Sequence, residues 1–245
     1  MKTATPNLPQ NKVTLFACAD RQELVDSLKA LNAEVIAVKE SEIFNNVEND
    51  HPDMHLCHLG GNKVVVYKED EYLWKELSKR DFEVIFAQTE KTGKYPNCAA
   101  LNVCIIGKIV LCNIKAADKT ILDYAQQNGY KIIDCKQGYS RCSTLVVSEN
   151  SAITDDISVY NALKNEIDVL LVSKGGVDLD GKIDGFIGGC SGFTYKNHLA
   201  FFGNLECHPD KEKIEKFLNK YDVKPLCLNS GKLCDVGTIL PLCEG

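Results

Sequence analysis

The sequence predicts an α/β protein, a propeller of five tandem strand–turn–strand–helix–strand units that closes into a ring. A short apolar strand recurs five times at intervals of roughly 45 residues, the period range of propeller-like repeats. Each copy is followed by a stretch with helical spacing and then by a second apolar strand. One more apolar strand follows the last unit, where it can complete the first.

The recurring strand is the middle strand of each predicted unit. An asparagine or glycine precedes all five copies, and these residues tolerate the positive φ of tight hairpin turns. We therefore expect an antiparallel hairpin in each unit. The copies are Lys12–Ala17, Lys63–Lys68, Lys108–Asn113, Ser151–Asp156 and His198–Gly203.

A helix is predicted after each middle strand, because apolar residues recur there at intervals of three and four. Asp156 is expected to cap the fourth helix through its carboxylate. The predicted helical stretches are Glu23–Leu31, Glu71–Lys79, Asp118–Gln127, Asp156–Lys164 and Lys211–Lys220.

Each helix leads into a third strand that is rich in β-branched residues, as in buried parallel strands. These third strands are predicted at Ala33–Val38, Phe82–Ala87, Tyr130–Cys135, Ile167–Val172 and Val223–Leu228. The first strands are predicted at Met54–Leu59, Leu101–Ile106, Ser143–Val147 and Gly192–Tyr195, with Asp235–Leu240 closing the ring as the first strand of the first unit.

The predicted organisation is a flexible lead-in and one domain. Residues 1–10 are polar and contain two prolines, and residues 11–245 form the domain. The units span about 11–50, 51–95, 96–138, 139–180 and 181–230, and residues 231–242 complete the first unit. We expect a chain of this length to bury a large core without disulfides or metals.

The amino-acid composition disfavours two classes of binding partner, nucleic acids and membranes. The net charge is -6 with both signs mixed along the chain, so we expect no nucleic acid partner. No apolar run approaches the roughly 18 residues of a membrane span, and no secretory signal is apparent. We therefore expect a cytoplasmic protein without a membrane partner. The oligomeric state is not predicted.

Twelve cysteines are an unusually large number for such a chain. No two of them form a CxxC pair, so a zinc ribbon or a thioredoxin-type motif is disfavoured. Most are expected to be small buried hydrophobic residues. We predict no cofactor and no metal, with one alternative, a thiol-rich zinc site to which His55 or His58 would contribute.

Five such units with a strand shared between the chain ends resemble the pentein fold of arginine deiminases, dimethylargininases, amidinotransferases and the ribosome anti-association factor. Several segments also resemble a bacterial pentein-like family without an established activity. They are Gly138–Ser143, Ile153–Asp156, Gly185–Gly189, His208–Asp210 and Asp235–Gly237. The resemblance implies a site where the first strands begin, around a central channel.

Cysteines recur at the repeat period near those strand starts, as Cys98, Cys142, Cys190 and Cys234. Pentein hydrolases use a cysteine nucleophile in a glycine-rich segment near the C-terminus, a placement that Cys234 shares. Cys142 stands where those enzymes carry a histidine, and His55 lies in a segment that resembles their histidine segment. The resemblance thus implies catalytic roles for Cys234, Cys142, His55, Asp235 and Asp155.

A cationic guanidinium requires carboxylates, because paired Asp or Glu side chains match its fork of donors. The predicted substrate-binding residues, which include such carboxylates, are Asp53, Asn102, Ser143, Asp184 and Cys190. The implied function is a cysteine-dependent hydrolase or transferase acting on a small guanidino- or amide-type molecule. The alternative is a non-catalytic binding or interaction module on the same fold, as in the ribosome factor.

Overall fold

Five three-stranded sheet units share one topology in the computed structural model, which describes residues 2–45, 47–181 and 183–245. In every unit the middle strand pairs antiparallel with a first strand and parallel with a third strand. Numbered in chain order, the middle strands are β2 (Val13–Ala19), β5 (Lys63–Val66), β8 (Ile109–Cys112), β11 (Ser151–Thr154) and β15 (His198–Phe201).

A helix connects each middle strand to its parallel third strand, since a parallel pair requires a crossover connection. These helices are α1 (Gln22–Ala30), α3 (Glu71–Ser78), α4 (Lys119–Gln127), α5 (Ile157–Leu163) and α6 (Lys211–Lys220). The third strands are β3 (Glu34–Val38), β6 (Glu83–Phe86), β9 (Lys131–Asp134), β12 (Asp168–Leu171) and β16 (Lys224–Cys227). The predicted helices and the predicted third strands are confirmed to within a few residues. The predicted helix cap at Asp156 is also confirmed, because its carboxylate accepts the amides of Ser158 and Val159 at the start of α5.

The first strands of four units are β4 (Leu56–Gly60), β7 (Cys104–Ile106), β10 (Thr144–Ser148) and β14 (Ser191–Tyr195). The first strand of unit 1 is β18 (Leu240–Glu244), which pairs antiparallel with β2. The pairing of a C-terminal strand with the first unit is therefore confirmed. Within the described ranges the sheets remain separate, and none closes on itself.

The position of that C-terminal strand was predicted wrongly. Residues 235–239, expected to be strand, are irregular backbone, and the strand begins at Leu240. Gly237 and Thr238 have φ angles of 65° and 79°, which an extended strand does not allow. Because residues 235–239 are not paired in a sheet, their side chains are available to form a functional site.

Residues 1–10 were predicted to form a flexible lead-in, but residues 2–10 lie against the domain. Strand β1 (Lys2–Thr3) pairs with β18, and the side chains of Ala4, Asn7 and Leu8 are buried. The Asn7 amide donates to the carbonyl of Ile105 at 2.9 Å. The segment is held because it supplies both backbone pairing and buried side chains.

Short elements complete the chain: helix α2 (Pro52–His55), strands β13 (Val177–Asp178) and β17 (Leu233–Cys234), and 3₁₀ turns at Asn97–Ala99 and Leu205–Cys207. Strands β13 and β17 pair in parallel. The helices bury their apolar faces against the sheets, as α1 does with Leu24, Val25 and Leu28. Among the described residues no helix is both long and apolar enough to cross a membrane.

Candidate functional site

A buried thiol–carboxylate pair lies where the first strands of units 2 and 4 begin. The Sγ of Cys142 donates to Oδ2 of Asp53 at 2.9 Å, and the hydroxyl of Thr238 donates to the same oxygen at 2.9 Å. Burial raises the pKa of Asp53 to about 7. Burial and the neighbouring Asp53 carboxylate raise the pKa of the Cys142 thiol well above its ordinary value. The free site therefore holds the sulfur as a neutral thiol.

Asn102, from the turn before β7, fixes the position of Cys142. Its Oδ1 accepts the backbone amides of Arg141 and Cys142, at 2.8 and 3.2 Å. Its Nδ2 lies 3.3 Å from the Cys142 sulfur and donates to it. Units 3 and 4 are thus connected through one fully buried amide side chain.

His51 completes this cluster from the residue that precedes α2. One ring nitrogen of His51, one Asp53 oxygen and the Cys142 sulfur lie within 4.8 Å of one another. The Nδ1 atom is 3.8 Å from Asp235 Oδ1, and Nε2 has no hydrogen-bond partner among the described residues. Burial lowers the pKa of His51 to about 3, so the imidazole is neutral near pH 7.

Asp235 supplies a second buried carboxylate. Its Oδ2 accepts the amide of Phe186 and its Oδ1 the amide of Gly237, both at 2.9 Å. Burial raises the pKa of Asp235 to about 6. Gly189 lies so close that a β-carbon there would be 2.0 Å from Asp235 Oδ1. The glycine-rich segment before β14 therefore holds Asp235 by direct backbone approach.

Asp155 and Cys190 lie beside the same glycine-rich segment. Asp155 Oδ2 accepts the amide of Ile187 at 3.0 Å, and the thiol of Cys190 donates to the Ile187 carbonyl at 3.2 Å. Burial raises the pKa of Asp155 to about 7 and that of the Cys190 thiol well above its usual value. Beyond the effect of burial, Asp53 and Asp235 both raise the pKa of the Cys142 thiol, and Asp235 also raises the pKa of Asp155, a third buried carboxyl group.

A cavity of about 20 Å³ lies between these groups, and its wall includes His51, Cys142 and Asp235. Leu179 and Phe186, from the segment that joins units 4 and 5, close it on one side. That volume holds one water molecule. A guanidinium group can enter only if this segment moves.

Cys234, the predicted nucleophile, lies outside the cluster. Its half-buried sulfur accepts from Arg21 Nη1 at 3.6 Å, and Arg21 also lies 3.5 Å from Asp50. Despite the guanidinium, burial raises the pKa of the Cys234 thiol. The cation beside Cys234 is therefore insufficient to favour a thiolate.

Cys98, another of the repeat-position cysteines, does not contact Cys142. Its sulfur lies 3.4 Å from the hydroxyl of Tyr139, a residue that lines the cavity beside Cys142. Among the described residues, the potential metal ligands that come together are His51, Asp53 and Cys142, with a single thiol. This set could hold a soft divalent ion. The thiol-rich site considered from the sequence is not formed by these residues.

The side chains of His55, Ser143 and Asp184 make their polar contacts with residues other than the cluster. The His55 ring lies 3.1 Å from Asp70 and contacts the Asn49 carbonyl at 2.8 Å. The Ser143 hydroxyl donates to the Tyr139 carbonyl at 2.7 Å. Asp184 is exposed and bridges to Asp178 in an outer hairpin.

Two residues of the cluster were not anticipated, His51 and Thr238. His51 begins a His-Pro-Asp sequence that ends at Asp53, and the same triplet occurs at His208–Asp210. Its position two residues before a candidate carboxylate was an available signal. For Thr238 the sequence carried no signal, since its role depends on a positive φ.

Solved structures with the same fold are enzymes, although their sequences have diverged far from this one. An amidinotransferase from Microseira wollei in the saxitoxin biosynthetic pathway is 10% identical, with a TM-score of 0.59 over 92% of this chain and 91% of that chain. Inosamine-phosphate amidinotransferase from Streptomyces griseus is 11% identical, with a TM-score of 0.58 over 96% of both chains.

Agmatine deiminase from C. jejuni is 12% identical, with a TM-score of 0.55 over 95% of this chain and 94% of that chain. These likenesses establish the pentein fold. No protein among curated sequences matches the chain significantly. A family model described as a family of unknown function, DUF6873, matches residues 17–240. The chain therefore belongs to the DUF6873 family and has the fold of the pentein superfamily.

Proposed function

We propose that this chain is a cysteine-dependent hydrolase or transferase that acts on a small molecule with a guanidinium or amidine group. Cys142 is the nucleophile. The observation that carries the proposal is the buried hydrogen bond between Cys142 and Asp53, with His51 beside it. The likeness to two amidinotransferases and an agmatine deiminase supports this substrate class.

The protonation states define how Cys142 becomes reactive. The thiolate is the nucleophilic form, whereas burial keeps the thiol pKa high in the free site. A cationic substrate lowers that pKa by favouring negative charge next to it. The thiol proton then passes to Asp53, its hydrogen-bond acceptor.

The thiolate attacks the central carbon of the amidine group and forms a tetrahedral adduct. The bond from that carbon to the departing nitrogen breaks, and the proton held by Asp53 goes to that nitrogen. The covalent thiouronium that remains is attacked by water in a hydrolase or by an acceptor amine in a transferase. That second attack regenerates the Cys142 thiol.

Asp235 and Asp155 recognise the cation, while Asp53 accepts the thiol proton. Ionised carboxylates match the guanidinium fork, and the raised pKa values of Asp235 and Asp155 reflect burial without a bound cation. Substrate binding is expected to lower both pKa values. Affinity should therefore increase as the pH rises through about 6 to 7.

The small size of the cavity supports a second candidate, a non-catalytic binding module. A space of about 20 Å³ excludes a guanidino substrate from the closed site. In that case the fold would serve as a platform for a partner, and the buried polar cluster would be structural. The two candidates differ in whether Cys142 reacts selectively with a cationic probe.

The test compares 2-chloroacetamidine, which is cationic, with the neutral isostere 2-chloroacetamide. Mass spectrometry of the labelled peptides would give the rate at each cysteine. We expect Cys142 to react faster with the cation, and Asp53→Asn with Asp235→Asn to remove that preference. Cys234→Ala is the matched control and should leave the labelling of Cys142 unchanged. Uniform slow labelling of all cysteines would favour the binding module.

We further infer that the five units form a closed ring, with this cluster at its centre. Contacts between neighbouring units support the inference, as does the contact of β14 in unit 5 with β2 and β18 of unit 1. Side chains from units 2, 3 and 4 and from the segment before β18 meet in the cluster. An experimental structure with successive units related by one fifth of a turn would support the ring.

A further inference from the structure

Three side chains of the kinds that bind zinc meet in the buried interior of the site. A ring nitrogen of His51, a carboxylate oxygen of Asp53 and the sulfur of Cys142 lie within 4.8 Å of one another. Zinc holds imidazole nitrogens and carboxylate oxygens at about 2.0–2.2 Å and thiolate sulfur at about 2.3 Å. Small movements of these side chains would therefore bring all three ligand atoms onto one ion.

His51 and Asp53 each carry a buried polar atom without a partner. Nε2 of His51 and Oδ1 of Asp53 form no hydrogen bond among the described residues, and the two residues are 2% and 1% exposed. Leaving such an atom unsatisfied costs about 1–3 kcal/mol. A metal ion satisfies both atoms, because a neutral imidazole nitrogen and a carboxylate oxygen are both electron-pair donors.

Neighbouring side chains hold Asp53 and Cys142 from outside, as in known metal sites, where such contacts orient the ligands. The Thr238 hydroxyl donates to Asp53 Oδ2 at 2.9 Å and leaves Oδ1 available. Asn102 Nδ2 donates to the Cys142 sulfur at 3.3 Å, a contact that also stabilises a thiolate. Both ligands are therefore directed before any ion binds.

The charges of the cluster also match a divalent cation. When Zn²⁺ binds, it displaces the thiol proton of Cys142, which is released to solvent. The hydrogen bond between Cys142 and Asp53 then gives way to a bond from each residue to the ion, and their two negative charges equal its charge. Asp235 Oδ1, 3.8 Å from His51 Nδ1, adds a carboxylate behind the imidazole, the usual arrangement for a zinc-bound histidine.

The fourth position of a tetrahedral site can be filled from the cavity of about 20 Å³ that His51 and Cys142 line. That volume holds one water molecule, and water is the usual fourth ligand where a protein supplies three. We propose that His51, Asp53 and Cys142 bind Zn²⁺, with a water from this cavity as the fourth ligand. A thiolate with an imidazole and a carboxylate suits this ion better than Mg²⁺ or Ca²⁺, which prefer oxygen ligands.

The zinc site itself does not rest on the proposed function, but one consequence of it does. A sulfur bound to zinc cannot attack a substrate carbon at the same time, so zinc binding and catalysis by Cys142 exclude each other. The metal-free protein is then the reactive form.

Cobalt(II) is the probe, because it occupies zinc sites and absorbs light when a thiolate binds it. Chelator-treated protein titrated with Co²⁺ should develop a sulfur-to-cobalt charge-transfer band that saturates near about one equivalent and is lost when Zn²⁺ is added. Cys142→Ser should abolish the band, and Thr238→Val should weaken the affinity about tenfold. Cys234→Ala is the matched control, because that sulfur contacts Arg21, and it should retain the band.

A second measurement needs no variant and covers the case in which Cys142→Ser does not fold, as judged by thermal melting. The X-ray absorption spectrum of the zinc-loaded parent should show a single sulfur at about 2.3 Å with nitrogen and oxygen at about 2.0–2.2 Å. The site would be overturned by the absence of a cobalt band or by a band that persists in folded Cys142→Ser. A zinc shell with no sulfur, or with several, would overturn it equally.

The exclusion between zinc binding and catalysis has its own readout. Labelling of Cys142 by 2-chloroacetamidine should be about tenfold slower in zinc-loaded protein than with chelator present, and equal rates would overturn the exclusion. The cobalt and X-ray measurements use no substrate analogue. A loss of cation selectivity in chelator-treated protein would therefore reject the proposed function and leave the metal site standing, and the reverse also holds.

Discussion

The thiol of Cys142 donates a 2.9 Å hydrogen bond to Asp53, although the two residues are 89 positions apart. Asp53 precedes the first strand of unit 2, and Cys142 precedes the first strand of unit 4. Such a pair forms only when the starts of these strands lie together. The chemistry of the site is therefore a product of the repeat, not of any local motif.

Asp53→Asn should gain stability relative to the parent as the pH rises from about 4 to about 7. Burial raises the pKa of Asp53 to about 7, so the folded protein holds this proton more tightly than the unfolded chain. The contribution of Asp53 to stability is present below its unfolded pKa of about 3.9 and is lost as pH rises through about 7. The Asn variant does not titrate.

Urea unfolding of Asp53→Asn and the parent at several pH values gives this difference, expected to grow by roughly 1–4 kcal/mol. His51 contributes the opposite pH dependence of stability, because burial lowers its pKa. That contribution cancels when the Asp53→Asn variant is compared with the parent. A difference that does not depend on pH would show that Asp53 titrates normally.

His51→Gln should slow the labelling of Cys142 by chloroacetamidine by about tenfold, because the neutral ring lies beside the thiol and the Asp53 carboxyl and helps to position them. His55→Gln is the informative comparison, because His55 was the histidine that the sequence favoured. The His55 ring contacts Asp70 and the Asn49 carbonyl instead. We expect its substitution to leave the labelling rate unchanged in the folded variant. Equal losses in both variants would argue against a specific role for His51.

Phe186→Ala should make Cys142 more accessible, because Phe186 forms part of the wall that closes the cavity. We expect alkylation by iodoacetamide to accelerate about tenfold, which corresponds to ~1.4 kcal/mol in the free energy of opening. Ile183→Ala, in the same segment but 54% exposed, should leave the rate unchanged. Equal rates for all three proteins would mean that access follows another route.

Gly189→Ala should displace the Asp235 carboxylate, since the added β-carbon would lie 2.0 Å from Oδ1. Overpacking of this kind costs about 1–3 kcal/mol, and we expect a lower melting temperature with weaker cation selectivity. Gly231→Ala is a suitable control, because the nearest heavy atom to its β-carbon would be 3.5 Å away. A neutral Gly189→Ala would contradict the close approach described here.

The repeat and its elements could be predicted because periodicity is a local signal. The three- and four-residue spacing of apolar residues predicts the helices α4 and α6, and the apolar runs predict the strands β5 and β8. The C-terminal strand was anticipated, but its start was predicted five residues too early, because Gly237 and Thr238 adopt positive φ angles.

The site was less predictable, because it depends on the direction of single side chains. The structure brings together Cys142, Asp53, Asn102 and Asp235, four residues that the sequence analysis named as site candidates. His55 was selected because its segment resembles the histidine segment of pentein enzymes, and His51 was not considered. Backbone-dependent contacts such as that of Thr238 with Asp53 lie beyond any pattern in the sequence.

The pairing of β18 with β2 also has a consequence for protein synthesis. Leu240 pairs with Ala17, and Glu244 pairs with Val13, so unit 1 lacks its antiparallel partner until residues 240–244 have been translated. Units 2 to 5 have all their strands earlier. We expect the N-terminal unit to be among the last to become protease-resistant on a nascent chain, and β2 to need protection from aggregation until then.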